Sequence, residues 1–258
     1  MAQTVETGRL NSLKRATRQI IQSIRVPGTA HRAWQAWAEP DHIVRWFCDR
    51  ATGGCLPGDE AVWEFNGFEH PARYRVERSW PGRSLIYTSG EPPEARTLDV
   101  RFEAAGEGTE VTVADESVPG SPEFDEFAAG VASGWANALR YLDLYLSHYH
   151  GRTKRTAIAL AAGSSDYEAA LQWFEPGLKR ERWLDVPAGE LQPGWRFDRH
   201  FVWLWPAIEG TVELNVFEGK AGEPTLVLRA VSWAADPVAG LDRRMAACLD
   251  RLSRLLLS

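Results

Sequence analysis

Only three of the 258 residues are cysteine, Cys48, Cys55 and Cys248. Three thiols cannot build a disulfide framework, so a reducing compartment with free cysteines is the expectation. The first two are spaced as FCDRATGGC, which lacks the C-x-x-C interval of redox and zinc motifs, and no second pair follows. Long hydrophobic runs are missing as well. No segment approaches the roughly 18 apolar residues that cross a bilayer, and the N-terminal MAQTVETGRLNSLKR carries neither an apolar signal core nor a cleavage pattern. No membrane association and a cytoplasmic location are expected. Positive charge is in deficit: 29 Lys and Arg face 35 Asp and Glu, a formal net charge of −6, which leaves no basic surface for nucleic acid. There is no G-x-S-x-G, no phosphate-cradling glycine loop and no dinucleotide fingerprint, so nothing supports nucleophilic hydrolysis, nucleotide binding or hydride transfer. The six histidines, among them His200 and the His148/His150 pair, stand beside no carboxylate or cysteine at a ligating interval. No catalytic set, no metal and no cofactor is expected.

What the chain does have is apolar content and rings: 44% hydrophobic residues and twelve tryptophans. A length of 258 residues suits two domains, each able to bury its own core. After a flexible arm (1–17), RQIIQSIRV has the β-branched content of a strand ended by Pro27-Gly28. Thr29 can cap a helix carrying Trp34 and Trp37, and Asp41 a second, shorter one carrying Ile43, Trp46 and Phe47. Tryptophans at that spacing read as packing. From 60 to 117 the period changes from 3.6 to 2, with Trp63, Tyr74, Tyr87, Val100 and Val113 among the alternating apolar positions of an antiparallel sheet, its turns at Pro81-Gly82 and Gly106-Glu107. A long amphipathic helix follows over about 122–148, with Pro122 and the acidic Glu123, Asp125 and Glu126 at its start.

Residues 149–154 are polar and read as a linker, after which the element order restarts over 155–258. TAIALAAG is a strand, SSDYEAALQWF a short helix, WRFDRHFVWLW, TVELNVF and TLVLRAVSW are strands, and LDRRMAACLDRLSRLLL is a final helix. If WRFDRHFVWLW is one strand, Trp195, Phe197, Arg199, Phe201, Trp203 and Trp205 share a face. Arg199 then either grips an anionic ligand group or snorkels to solvent.

The stretch AWAEPDHIVRWF, the strands HPARYRV and TLDVRF, the hairpin arm GTEVTV and the helix GWANALRYLDLYL resemble the START-like (SRPBCC, helix-grip) superfamily, and within it the bacterial relatives of the C-terminal domain of the Hsp90 ATPase activator. The resemblance covers 18–148. It implies an α+β fold, a curved antiparallel sheet wrapped around a long C-terminal helix, present here as two tandem repeats of which the second is shorter and degenerate. It also implies a cavity between sheet and helix, and no family-wide catalytic residue. The additional N-terminal domain with which the eukaryotic activator engages its chaperone has no counterpart in this sequence, so a direct chaperone role is not expected.

The resulting expectation is non-enzymatic binding of a small hydrophobic molecule in the first repeat, lined by Trp63, Tyr74, Tyr87, Val100, Phe127, Val131 and Trp135, with Arg199 as a polar contact and a largely structural second repeat. Two alternatives stand beside it. One is a polyketide cyclase or aromatase-like enzyme, which requires a titratable group facing the cavity. The other is an interaction module with filled interiors, its second-half aromatics forming either a homodimer interface or an internal core.

Overall fold

The structure, a computed structural model, describes residues 17–66, 69–90, 96–119, 122–162, 191–197, 200–218, 224–235 and, near the C-terminus, 240, 241, 243, 245–247 and 250. The helix expected at SSDYEAALQWF lies outside these residues, as does Arg199.

Strand β1 (Thr17–Pro27) ends at Gly28, whose φ of +90° turns the chain. Thr29 then caps α1 (Ala30–Ala38), its hydroxyl accepting the Arg32 N–H at 3.3 Å. Helix α2 (Pro40–Ile43) begins differently from expectation. Pro40 takes the first helical position, where its missing N–H is harmless, so Glu39 occupies the cap position without a side-chain bond and Asp41 is already inside the helix.

Strands β2 (Arg50–Gly53), β3 (Glu60–Glu64), β4 (Ala72–Trp80), β5 (Ser84–Ser89), β6 (Arg96–Ala105) and β7 (Gly108–Pro119) complete an antiparallel sheet in the order β1-β7-β6-β5-β4-β3-β2. Its inward positions are the alternating residues of the sequence: Trp63, Val76, Leu85, Tyr87, Leu98, Val100, Phe102, Val111 and Val113 are all buried. Helix α3 (Asp125–Leu144) opens from a 3-10 turn at Pro122–Phe124 and runs on through one wide π turn, Tyr145–Tyr149. Asp125 and Glu126 lie in its first turn, where the helix dipole favours negative charge, and Arg18 of β1 meets Asp125 at 2.5 Å. This is the helix-grip arrangement. Trp34, Trp37 and Trp46 belong to its core. Trp37 lies 5.1 Å from Trp46 and stacks on Trp135 of α3 at 6.0 Å, while the Trp46 indole donates to the Ala36 carbonyl at 2.8 Å. Rings of this size each remove about 150–250 Å² from water, about 4–6 kcal/mol apiece before the entropy of ordering them is set against it.

The second half builds another antiparallel sheet from β8 (Arg155–Ala162), β9 (Gln192–Phe197), β10 (His200–Trp205), β11 (Gly210–Glu218) and β12 (Pro224–Ser232), in the order β8-β12-β11-β10-β9. The plan repeats the first: the opening strand pairs with the last, and the others form a meander beside it. Among the described residues the second sheet has no counterparts of β2 and β3. Helical residues follow at 241, 243 and 245–247, with Met245 fully buried.

One reading of the second half needs correction. WRFDRHFVWLW is a hairpin and not one strand, since β9 and β10 pair antiparallel with Phe197 opposite His200 and Arg196 opposite Phe201. Residues directly opposite share a face, so Trp195 and Phe197 lie on the face of His200, away from Phe201, Trp203 and Trp205. The described tryptophans of the second half serve the intramolecular core. Trp205 and Trp233 are almost wholly buried, and Trp233 stacks on Tyr149 at 4.5 Å and donates to the Arg45 carbonyl at 2.7 Å. No described helix is long and apolar enough to cross a membrane.

Candidate functional site

The rings expected to line a cavity in the first repeat lie against one another. Trp63 is 4.8 Å from Tyr74 and 5.3 Å from Tyr87, and Tyr74 is 6.0 Å from Tyr87. Burial pushes the Tyr74 phenol up to about 12 and raises that of Tyr87 further, so neither is an acid or base near neutrality. Val100 is fully buried and Val131 partly so. Trp135 is buried, stacks on Phe47 at 5.7 Å and donates to the Asp115 carboxylate at 2.7 Å. Phe127 is 55% exposed. It sits in the first turn of α3 and faces solvent, not the enclosed interior.

A different place concentrates polar chemistry. Helix α3 is gripped from both sides, by the first sheet on one face and by the second sheet on the other. Toward the second sheet it presents Asn137 and Tyr141, one turn apart on the same stripe. The sheet answers with one face of its alternation: His200 on β10, Thr211, Glu213 and Asn215 on β11, Val227 and Arg229 on β12, Thr156 and Ile158 on β8. Antiparallel register brings these together, with Glu213 opposite Arg229 and Asn215 opposite both His200 and Val227.

Glu213, 2% exposed, is the centre. Its Oε1 accepts from His200 Nδ1 at 2.7 Å and from Asn137 Nδ2 at 3.0 Å; its Oε2 accepts from Tyr141 at 3.1 Å and from Arg229 Nε and Nη2 at 3.0 and 2.5 Å. Thr211 meets the Tyr141 hydroxyl at 3.0 Å, Trp195 donates to Asn137 Oδ1 at 2.7 Å, and the Arg229 guanidinium stands 5.0 Å above the Tyr141 ring. Burial alone would raise the Glu213 carboxyl, but the Arg229 charge and the His200 bond outweigh it and hold the group down at about 2. Arg229 is pushed up in turn by the charge of Glu213, against its own desolvation.

A second ion pair lies close by. Lys154 lies in the stretch that reads as a polar linker, and its side chain is only 4% exposed, donating to the carbonyls of Cys48 at 2.7 Å and Phe47 at 3.3 Å with Asp49 at 3.5 Å. Burial brings its ammonium down to about 8, with Asp49 opposing the fall. Burial acts to raise Asp49, but the Lys154 charge, the Asn66 N–H at 2.8 Å and the neighbouring Thr156 hydroxyl together lower it. That hydroxyl is buried and makes no hydrogen bond of normal geometry.

Between these groups is a cavity of about 250 Å³. Trp46, Phe47 and Phe65 form its aromatic side, and Asn137, His200 and Arg229 its polar side. Gly134 and Ala138 of α3 make the room: a Cβ added at Gly134 would meet nothing within 4 Å. Among the described residues no cluster of three His, Cys, Asp or Glu side chains is placed to hold a metal.

None of these polar residues was picked out from the sequence. T-V-E-L-N-V reads as an ordinary half-exposed strand, its Thr/Glu/Asn side toward water, and only the burial of both faces reveals otherwise. The phase shift at the β9–β10 hairpin hid His200 in the same way.

The fold is of the START-like, helix-grip type, with the helix-grip unit joined to a second sheet of the same plan. Residues 28–147 match the family described as "Activator of Hsp90 ATPase homolog 1-like protein". Among solved structures the chain is similar to protein SSP2350 from Staphylococcus saprophyticus, with 19% identity over 51% of this chain and 93% of that one, at a TM-score of 0.46. It is also similar to the Aha1 dimer from Colwellia psychrerythraea, with 20% identity over 52% of this chain and 99% of that one, at a TM-score of 0.46. DynU16, from the dynemicin biosynthetic locus, aligns over 92% of this chain and 96% of its own, with 15% identity and a TM-score of 0.37. No curated protein matches the chain.

Proposed function

We propose that the protein binds a small, planar organic molecule with one polar edge in the cavity between α3 and the second sheet. The observation that carries this reading is the composition of that cavity: three aromatic rings facing an ion-paired, hydrogen-bonding wall. Rings favour a flat ligand by offset stacking, and a few fixed polar groups set its orientation. A volume of about 250 Å³ falls just below that of pockets for drug-sized ligands (about 300–1,000 Å³), which fits one ring or two fused rings. The ligand class expected from the sequence, a small and mainly apolar molecule, is retained. The site moves from the interior of the first repeat to the interface with the second, whose role is then more than structural.

Gly134→Leu is the direct test. Glycine within a helix costs about 1 kcal/mol relative to a good helix former, and the leucine would fill open space, so the variant is expected to be at least as stable as the parent. It is also expected to lose any stoichiometric small molecule seen by native mass spectrometry of freshly purified protein, along with the heat stabilisation given by a panel of aromatic ligands. Equal occupancy in parent and variant would remove the cavity from consideration. An empty parent that no ligand stabilises would favour a surface-acting interaction module.

A further inference from the structure

Most of the hydrogen-bonding capacity around the cavity is already taken up. Glu213 accepts five bonds. The Lys154 ammonium is held by two carbonyls and Asp49, and Asp49 in turn by Lys154 and the Asn66 N–H. The wall is also balanced in charge, Glu213 against Arg229 and Asp49 against Lys154. Besides the Thr156 hydroxyl, two groups flanking Glu213 keep capacity. The first is His200 Nε2. Its Nδ1 lies 2.7 Å from a carboxylate oxygen that can only accept, so Nδ1 carries the proton, and in the neutral ring Nε2 holds a lone pair. The second is Arg229 Nη1, a donor that takes no part in the bonds to Glu213. The two side chains flank Glu213, one on each carboxylate oxygen, and both line the cavity.

An acceptor and a donor on either side of a neutral wall select among ligands. A wholly apolar molecule would leave both unpaired, at the cost of buried unsatisfied groups. A carboxylate would bring in a charge with nothing to offset it unless a further proton were taken up. A hydroxyl on an unsaturated carbon gives its proton toward Nε2 and accepts from Nη1 with the same oxygen. Resting on the binding reading above, we infer that the ligand is a phenol or a stable enol and that His200 accepts its proton on binding. In that step the ligand O–H bond breaks, an Nε2–H bond forms, and the electron pair stays on oxygen. The imidazolium is stabilised by Glu213 and the oxyanion by Arg229, with no change in net charge. Tyr141 and Asn137 face the same carboxylate from α3 and keep Glu213 in place. The site is thereby a proton-accepting one, which a cyclising or aromatising enzyme also needs.

The test uses 7-hydroxycoumarin, whose phenol and phenolate absorb at different wavelengths, at a pH well below the free probe's own pKa, with 7-methoxycoumarin as control. In the parent protein the bound hydroxy probe is expected to show the phenolate band, and ¹⁵N NMR of the histidines to show His200 gaining a proton on Nε2; the methoxy probe should produce neither. His200→Gln is expected to cut the phenolate-to-phenol ratio of bound probe at least tenfold. A bound probe that stays neutral in the parent, with Nε2 unprotonated, overturns the proton transfer while leaving the cavity as a binding site. Failure of both probes to bind the parent, with Gly134→Leu indistinguishable from it, overturns the binding reading as well. The NMR arm is read on the parent and does not depend on how the variant folds.

Discussion

Arg229→Met is expected to lower the free energy of unfolding by about 3–5 kcal/mol, the usual cost of leaving a buried charge without its partner. Glu213 is 2% exposed, and of its five hydrogen bonds two come from Arg229. Without them the carboxylate keeps His200, Asn137 and Tyr141 but no permanent positive charge. It must either stay ionised in a poor environment or take up a proton, so the loss should be smaller at acidic pH. Glu213→Leu alone should cost a similar amount by stranding the guanidinium. The double variant should recover part of the loss, because an apolar pair of similar volume can replace a buried ion pair at little cost. Recovery should be incomplete, since Asn137 and Tyr141 still lose their acceptor. Urea unfolding of the four proteins gives the cycle. Additive losses in the double variant would mean that the two side chains do not act as a pair.

Stability should rise above pH 8, level off between about pH 9 and 10, and then fall by at least 4 kcal/mol by pH 12. Burial brings Lys154 from 10.5 to about 8 in the folded chain. Between those values the unfolded chain binds more protons, so stability rises with pH from about 8 onward, at about 1.4 kcal/mol per unit. Burial holds the Cys48 thiol up from 9.0 to about 12. Above pH 9 the unfolded chain therefore gives up that proton first, a loss that cancels the Lys154 gain up to about pH 10, beyond which stability falls. Cys48 alone accounts for about 4 kcal/mol across this range. Tyr74, held up from 10.0 to about 12, adds to the fall above pH 10, as do the buried Tyr87 and Tyr141. Lys154→Met should abolish the rise below pH 9, and Cys48→Ala should turn the level stretch between pH 9 and 10 into a continued rise. A flat profile from pH 8 to 12 would show that neither side chain is buried as described.

Lys154 and Glu213 also mark the boundary between local and global information. The strands of the first repeat, its long helix and the packing role of Trp34, Trp37 and Trp46 were legible because each depends on periodicity and turn chemistry within a few residues. The restart after residue 155 was legible for the same reason, and the pairing of the first strand with the last gives both sheets one plan. The Asp41 cap and the single-strand reading of WRFDRHFVWLW failed over a residue or two. Proline at the first helical position displaced one, and a hairpin reversed the phase of the other.

By itself the sequence determined the strands and long helix of the first repeat, the helix-grip plan and the apolar faces that each sheet had to bury. It left open which polar faces meet water. Alternation distinguishes a strand's two sides but not what covers them, and the T-E-N side of β11 looks the same whether it faces solvent or a helix. Only the tertiary structure decided that the second sheet lies across the free side of α3. That placement removes Glu213 from water, and an isolated carboxylate there would be too costly to keep ionised. Its five hydrogen bonds and the Arg229 charge offset that cost, and they are what gather residues from four separate strands and helices into one site.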